Sequence, residues 1–245
     1  MRLALVMPVY NEAQLLPQIL ARIDSVPPPQ GVERVICMVD DGSSDGTALL
    51  MQDLPNIRPD VKVILHRANR GKGAALRTGF QLALEQQADV ILVQDADLEY
   101  DPIDHEAVLR PILDGKADAV IGSRFLGQTH RVLYYWHSIA NQVITTFSNM
   151  CTNLNLSDIE CGTKAFSRRV LEQISVEEET FAVEPELIAK LAKMQVTDPG
   201  MSNPRALRIY EVPVSYWGRT YDEGKKIRPK DGWLALKAIV VHNWS

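Results

Sequence analysis

The sequence predicts an α/β fold in which helices cover both faces of a mostly parallel β-sheet. Short apolar segments alternate with amphipathic helical patterns through the first half of the chain. Continuous apolar runs are typical of strands buried on both faces, and their alternation with helices indicates right-handed βαβ units. The length of 245 residues allows one domain or two small ones, and the Pro- and Gly-containing stretch Asp198–Arg205 is interpreted as a loop within a domain. We therefore expect a single domain over residues 1–245.

The elements of the first half follow from apolar periodicity and from helix start signals. Asn11 and Asp45 are expected to cap the helices after the first two strands. The predicted strands are Leu3–Met7, Val35–Val39, Val61–Leu65, Val90–Val93 and Ala119–Ile121. The predicted helices are Glu12–Ser25, a segment starting near Gly46, Gly71–Gln86 and Ile103–Leu113.

The second half has a different character. Its long aromatic-rich helical stretch, Arg131–Leu154, either belongs to the core or lies on a membrane surface. Asp158–Phe166 is predicted to be irregular, and Gly218–Arg228 is predicted to be a mobile basic loop. The remaining predicted elements are the amphipathic segment Glu184–Met194, the strand Leu207–Val212 and the terminal helix Asp231–Trp244.

Charge and cysteine content exclude some classes of protein. The chain has 26 basic and 31 acidic residues and a net charge of −5, so we expect no nucleic-acid partner. Its three cysteines have no CxxC spacing, which favours free thiols in a reducing compartment. The first apolar run is short and soon followed by the acidic residue Glu12, and no run approaches 18 apolar residues, so we expect neither a signal peptide nor a membrane span. We expect a cytoplasmic protein without a transmembrane span, or one peripheral at the cytoplasmic face of a membrane.

Polar clusters follow four of the predicted strands. Ligands of parallel α/β sheets collect at the carboxyl ends of the strands, so these clusters should line one crevice. The clusters are Tyr10–Glu12, Asp40–Ser43, Asp95–Asp97 and Gly122–Arg124.

The strongest chemical signal is the pair Asp95 and Asp97, separated by Ala96. Two carboxylates at a strand end can approach one divalent cation, and Mg²⁺ and Mn²⁺ prefer such hard oxygen ligands. The alternative is a solvated turn. Glu99 is either a third ligand or a group that supports the ligands. The segment Asp41–Gly46 imitates the start of an EF-hand loop, but its twelfth position is Gln52 and a strand precedes it, so we reject calcium binding.

Other candidates have both a functional and a structural interpretation. Asp40 or Asp41 would accept a hydrogen bond from a nucleobase, unless the segment is simply a helix cap. Gly71-Lys72-Gly73 would hold a phosphate at a helix start, or is only flexible. The basic residues Arg124, Arg131, Arg219, Lys225 and Lys226 either close over phosphates or form a solvated surface. Asp158 and Glu184 are candidate general bases or structural carboxylates.

Several segments together resemble a known family. They are Pro8–Glu12, Val39–Ser43, Arg70–Gly73, Gln94–Glu99 and Gly122–Arg124, in that order. This pattern is similar to that of family 2 glycosyltransferases of the GT-A fold, and most of all to the dolichol-phosphate or polyprenyl-phosphate mannose synthase branch. Asp158–Gly162 and the Gly224–Lys226 loop extend the resemblance more loosely.

The resemblance implies roles for individual residues. The nucleotide sugar would be held by Pro8, Tyr10, Glu12, Asp40, Asp41, Lys72, Asp95, Ala96 and Asp97. Asp95, Asp97 and Glu99 would bind Mg²⁺ or Mn²⁺, although relatives often carry Gln at the position of Glu99. Phosphate of the donor or acceptor would be held by Arg124, Arg131, Arg219, Lys225 and Lys226. Asp97, Asp158 and Arg124 would take part in catalysis.

The resemblance also implies a reaction. The chain would be an inverting, metal-dependent glycosyltransferase that moves a sugar from GDP-mannose or a UDP-sugar to polyprenyl or dolichyl phosphate. Residues 1–125 would bind the nucleotide sugar and residues 126–245 the acceptor. One alternative is transfer to a hydroxyl of a saccharide or small molecule. Another is a nucleotide-sugar-binding or nucleotidyltransferase protein. The donor base, the sugar, the acceptor and the oligomeric state stay open.

Overall fold

The structure, a computed structural model, describes residues 1–127, 131–132, 134–220 and 229–244. Its strands are β1 Arg2–Val9, β2 Glu33–Asp40, β3 Val61–Leu65, β4 Val90–Val93, β5 Ala119–Ser123, β6 Lys164–Ser167, β7 Gln195–Val196, β8 Arg205–Ala206 and β9 Ile209–Pro213. Its α-helices are α1 Leu16–Ser25, α2 Thr47–Gln52, α3 Leu54–Ile57, α4 Lys72–Glu85, α5 His105–Leu113, α6 Tyr135–Thr152, α7 Arg168–Leu171, α8 Val183–Lys193 and α9 Pro229–Trp244.

Seven of these strands form one sheet, with β7 and β8 paired separately. The order in the sheet is β3-β2-β1-β4-β6-β5-β9. All neighbours run parallel except at β6, which is antiparallel to both β4 and β5. The expected mostly parallel α/β fold is therefore confirmed.

Helices pack on both faces of the sheet because side chains alternate along the strands. Leu3, Leu5 and Met7 of β1 join one apolar cluster, which includes residues of α1, α2 and α5. Ala4 and Val6 of the same strand join a second cluster with α4, α6, α8 and α9. A strand with apolar residues on both faces is what the continuous apolar runs predicted.

The predicted N-cap Asn11 is wrong, and α1 begins four residues later than expected. Asn11 has a φ of +49°, and its side-chain oxygen accepts a hydrogen bond from the Ser44 amide at 2.8 Å. The residue therefore ties the turn after β1 to the turn after β2. Asp45 does support the next helix, since its carboxylate accepts from the Thr47 amide at 3.0 Å.

Strand β6 is the largest departure from the sequence-based expectation. Its first three residues belong to Asp158–Phe166, which we expected to be irregular, and its last residue is Ser167. Its first residue, Lys164, is completely buried. Because lysine is almost always exposed, its presence made this core strand look like a polar segment in the sequence. As a result, a strand from the second half of the chain separates β4 and β5 of the first half.

The aromatic-rich helix α6 is shorter than the predicted stretch Arg131–Leu154. Its inner side packs against α8 and α9, and Ile144 joins the apolar cluster on this face of the sheet. Tyr135, Trp136, Val143 and Met150 remain exposed. Within the described part of the chain, no helix combines the length and the apolarity needed to cross a bilayer.

Candidate active site

A cleft of about 520 Å³ opens at the carboxyl ends of β1, β2, β4 and β5. The expected site residues that line it are Pro8, Tyr10, Glu12, Asp41, Gly71, Lys72, Asp95, Ala96, Asp97, Glu99, Arg124, Glu184 and Arg219. Asp40, Arg131 and Asp158 are not among the described residues that line it. Lys225 and Lys226 lie outside the described residues.

Asp41 and Asp40, at the end of β2, have different surroundings. The Asp41 carboxylate accepts from the amides of Arg70 and Gly71, the shorter bond being 2.7 Å, and His66 Nδ1 lies 2.9 Å away. It therefore holds the loop before α4 against the cleft. Asp40 turns away, and its Oδ2 accepts from the amides of residues 42 and 43 at 3.1 Å. Asp40 shapes the turn and does not face the cleft, contrary to the expectation that it helps to hold the nucleotide.

The glycines at the start of α4 allow the backbone of residues 178–179 to pass close to this helix. The Gly73 amide donates to the Glu179 carbonyl at 2.8 Å. A Cβ on Gly73 would lie 2.0 Å from the Glu178 carbonyl oxygen, and one on Gly71 would lie 2.2 Å from that of Glu179. The close backbone approach expected at these glycines is therefore made by residues 178–179, and a phosphate at this helix start stays a prediction.

Lys72 reaches the cleft through its side chain and links two carboxylates. Its Nζ lies 3.0 Å from Asp95 and 3.0 Å from Glu184. Burial alone would lower the pKa of Lys72, but Asp95 and Glu184 outweigh it and raise that pKa. Burial raises the pKa of Asp95, and Lys72 opposes the change. Glu184 also contacts the buried Lys164, so this predicted general base is held between two lysines.

A second group of carboxylates surrounds Arg219. The guanidinium lies 2.9 Å from Asp97, 3.3 Å from Glu12 and 3.3 Å from Glu99. Burial and the nearby Glu99 raise the pKa of Asp97, and Arg219 opposes them. Three carboxylates that converge on one point need a positive charge there. Arg219 supplies this charge in the structure, and the oxygen donors fit a hard divalent cation.

Arg124, at the end of β5, is held by Asp158. The Arg124 Nε and Nη2 atoms donate to the two Asp158 oxygens at 2.6 and 2.7 Å, and its amide donates at 3.1 Å. The guanidinium lies 5.1 Å from the centroid of the Tyr216 ring. Both Asp158 oxygens accept hydrogen bonds from Arg124, and Asp158 is not among the described residues that line the cleft. Asp158 therefore positions Arg124. Its expected role as a base does not fit this geometry.

Arg131 is not among the described residues that line the cleft, and it hydrogen-bonds the backbone of residues 216 and 218 instead. Its amide donates to the Tyr216 carbonyl at 2.9 Å, and its side chain donates to the Gly218 carbonyl at 3.2 Å. These bonds fix the segment that delivers Tyr216 and Arg219 to the cleft.

Several cleft residues were missed by the sequence reasoning, most importantly Glu160 and Gly162. Burial, reinforced by Glu184, raises the pKa of Glu160 to about 7. The Gly162 amide donates to the Tyr100 hydroxyl at 3.0 Å, and a Cβ on Gly162 would lie 2.3 Å from Asp95 Oδ2. The motif Asp158–Gly162 was the available signal, but an irregular segment gives no indication of which side chains face a cleft.

The chain is similar in sequence to several curated proteins that are named as sugar transferases or synthases. Polyprenol monophosphomannose synthase from Mycolicibacterium smegmatis is 33% identical over 177 residues, covering 71% of this chain and 65% of the relative. Undecaprenyl-phosphate mannosyltransferase from Micrococcus luteus is 28% identical over 256 residues, covering 100% and 94%. Undecaprenyl-phosphate 4-deoxy-4-formamido-L-arabinose transferase from Proteus mirabilis is 27% identical, covering 91% and 62%. The chain thus spans just under two thirds of the length of the first and third relatives.

Solved structures share the fold. Glucosyl-3-phosphoglycerate synthase from Mycobacterium tuberculosis, in complex with Mn²⁺, UDP-glucose and phosphoglyceric acid, superposes with a TM-score of 0.69 at 17% identity, covering 98% of this chain and 79% of that one. The same enzyme with Mg²⁺ and UDP gives a TM-score of 0.66 at 17% identity, covering 98% and 78%. At such low identity the likeness shows the GT-A fold alone. The sequence itself matches the Glycosyl transferase family 2 model over residues 4–175, well over half of its length, and the chain therefore belongs to glycosyl transferase family 2.

Proposed function

We propose that this chain transfers a sugar from a nucleotide sugar to a polyprenyl phosphate, with a divalent metal ion and inversion at the anomeric carbon. The observation that carries the proposal is the arrangement of charge along one cleft. Carboxylates stand at the end of β4, and the cation Arg124 stands at the end of β5, with the amino end of β6 between them. A leaving diphosphate needs a metal ion, which carboxylates can hold, and an attacking phosphate needs a cation. The cleft offers these groups on the two sides of the place where a sugar would lie.

The donor would lie across β2, β1 and β4. Pro8, Tyr10 and Asp41 would contact the nucleoside, and Asp95 and Asp97 would face the diphosphate. Mg²⁺ or Mn²⁺, held by Asp97 with Asp95 or Glu99, would neutralise the charge that develops on the departing diphosphate. Arg219 would give up its place among the carboxylates and contact phosphate. GDP-mannose and UDP-sugars are the donors to test first, because relatives include mannose transferases and the fold neighbours hold UDP.

The acceptor would approach Arg124 from the side of β5. A phosphomonoester has a second pKa of about 6, so it is largely ionised at neutral pH and needs little help from a base. Asp158 and Glu184, the two bases expected for a hydroxyl acceptor, are both engaged in ion pairs. This favours a phosphate acceptor. Arg131, Lys225 and Lys226 remain proposed phosphate contacts.

Exposed apolar residues support an acceptor that arrives from a bilayer. α6 carries no Asp, Glu, Lys or Arg, and Trp136 on it is 76% exposed. Together with α9 it forms an apolar groove lined by residues such as Val143 and Trp233. Asp231, near the start of α9, lines the active-site cleft, and Trp233 of the groove lies two residues further along the same helix. Tryptophan and tyrosine are enriched where proteins meet membrane interfaces.

The same proposal covers location and organisation. We place the protein at the cytoplasmic face of a membrane as a peripheral protein. Its three cysteines are free thiols, as a reducing compartment favours. Residues 1–125 and 126–245 would serve donor and acceptor within one domain.

The test is a transfer assay with the purified chain. Labelled GDP-mannose and UDP-sugars are offered with a short polyprenyl phosphate in detergent, with Mn²⁺, Mg²⁺ or EDTA. One donor should give a lipid-linked sugar of inverted configuration, and EDTA should abolish it. Asp97→Ala should lower the rate by roughly 100-fold or more, since the bound metal supplies several kcal/mol. Glu106→Ala, an exposed carboxylate on α5, is the control. Transfer that survives EDTA, retention of configuration, or release of sugar 1-phosphate in place of the nucleoside diphosphate would each refute a part of the proposal.

A further inference from the structure

Glu160 occupies a distinctive place in the order of the sheet. Because β6 runs antiparallel to its neighbours, its amino end lies at the edge where β4 and β5 have their carboxyl ends. Glu160 lies in the segment just before β6 and lines the cleft. It therefore stands between the carboxylates that follow β4 and Arg124, which follows β5.

Glu160 also differs from the other acidic residues of the cleft in its partners. Asp95, Asp97 and Glu184 each pair with a lysine or arginine. The Oε1 atom of Glu160 is buried, and within the described chain nothing hydrogen-bonds to it. A buried oxygen without a partner costs free energy, so a ligand in the cleft that donates a hydrogen bond to this atom would gain affinity from it.

We propose that Glu160 binds a hydroxyl group of the sugar that is transferred. The inference rests on the proposed function, because it assigns the sugar to the part of the cleft between the diphosphate and the acceptor phosphate. A sugar hydroxyl is a hydrogen-bond donor, and a carboxyl oxygen is a strong acceptor for it. An ionised phosphate, in contrast, offers only acceptor oxygens and cannot donate a hydrogen bond to this atom. The residue would thus distinguish a nucleotide sugar from the bare nucleotide.

The experiment measures the affinity that the sugar adds to the nucleotide. Calorimetry with GDP, GDP-mannose, UDP and UDP-glucose, all with Mn²⁺, gives the ratio of the Kd for each nucleoside diphosphate to that for its sugar. In Glu160→Ala this ratio should fall by up to about tenfold relative to the wild-type protein, the effect expected for the loss of one hydrogen bond. The Kd for the diphosphate alone should change less than about twofold. Glu160→Gln, which keeps one acceptor oxygen and the shape, should show a smaller fall.

The controls separate this inference from the function on which it rests. If the wild-type protein binds none of the four nucleotides, the proposed function fails and the inference falls with it. If nucleotides bind but both Glu160 variants keep the wild-type ratio, the inference alone is overturned. Loss of turnover with an unchanged ratio also overturns it, because that result assigns Glu160 to the acceptor. Glu172→Gln, an exposed glutamate at the end of α7, should keep the wild-type ratio.

Discussion

Replacing Asp158 with asparagine tests whether this carboxylate positions Arg124 or acts as a base. Asp158 is completely buried, and Arg124 is 11% exposed. Three hydrogen bonds of 2.6–3.1 Å join them. Asparagine keeps the shape of the side chain but loses its charge, and its NH₂ group would face an N–H of the guanidinium. The variant therefore leaves a buried cation without a counter-charge.

The magnitude follows from the burial of the pair. Removing one partner of a buried ion pair costs about 3–5 kcal/mol, because the remaining charge is left uncompensated. For a chain of this size each kcal/mol lowers the melting temperature by about 2–4 °C, so Asp158→Asn should melt about 6–20 °C below the wild-type protein. Urea unfolding followed by the fluorescence of the four tryptophans measures the free energy directly.

A surface pair in the same protein provides the control. Glu106 and Arg110 on α5 lie 3.3 Å apart, with side chains 68% and 62% exposed. Glu106→Gln should therefore change the free energy of unfolding by less than about 1 kcal/mol. If Asp158→Asn also stays within about 1 kcal/mol of the wild-type protein, the argument from the buried pair is refuted. Lost transfer at unchanged stability would instead assign Asp158 the role of a base.

Two further predictions concern the cleft and the exposed helices. Gly162→Ala places a Cβ 2.3 Å from Asp95 Oδ2, so it should cost about 1–3 kcal/mol and weaken metal-dependent nucleotide binding. Gly232→Ala, whose Cβ would meet its nearest neighbour at 3.9 Å within α9, should stabilise by up to about 1 kcal/mol, and equal urea midpoints for the two variants would contradict this. Trp136→Ser should lower partitioning into phosphatidylglycerol vesicles about tenfold in a sedimentation assay, while the exposed Ile57→Ser on α3 should not. Equal partitioning of both would exclude α6 from the membrane contact.

The sequence alone determined the strands of the first half and the edge at which the site lies. β3 and β4 were predicted to the residue, because each is a short apolar run between clear turn signals. The carboxylates of Asp95 and Asp97 reach the cleft because they directly follow β4. Local pattern is sufficient for such features, since strand direction places neighbouring carboxyl ends together.

The tertiary structure decided which of the candidate side chains share a contact. Arg219 lies 207 residues from Glu12 along the chain, yet the two side chains are 3.3 Å apart. β6 enters the sheet through the completely buried Lys164, whose charge is balanced by Glu184 on α8. Asp158 and Glu160 are two residues apart, but the first is turned to Arg124 and the second lines the cleft. Which way a side chain points in an irregular segment depends on distant partners, and those partners are brought together only when the sheet is assembled.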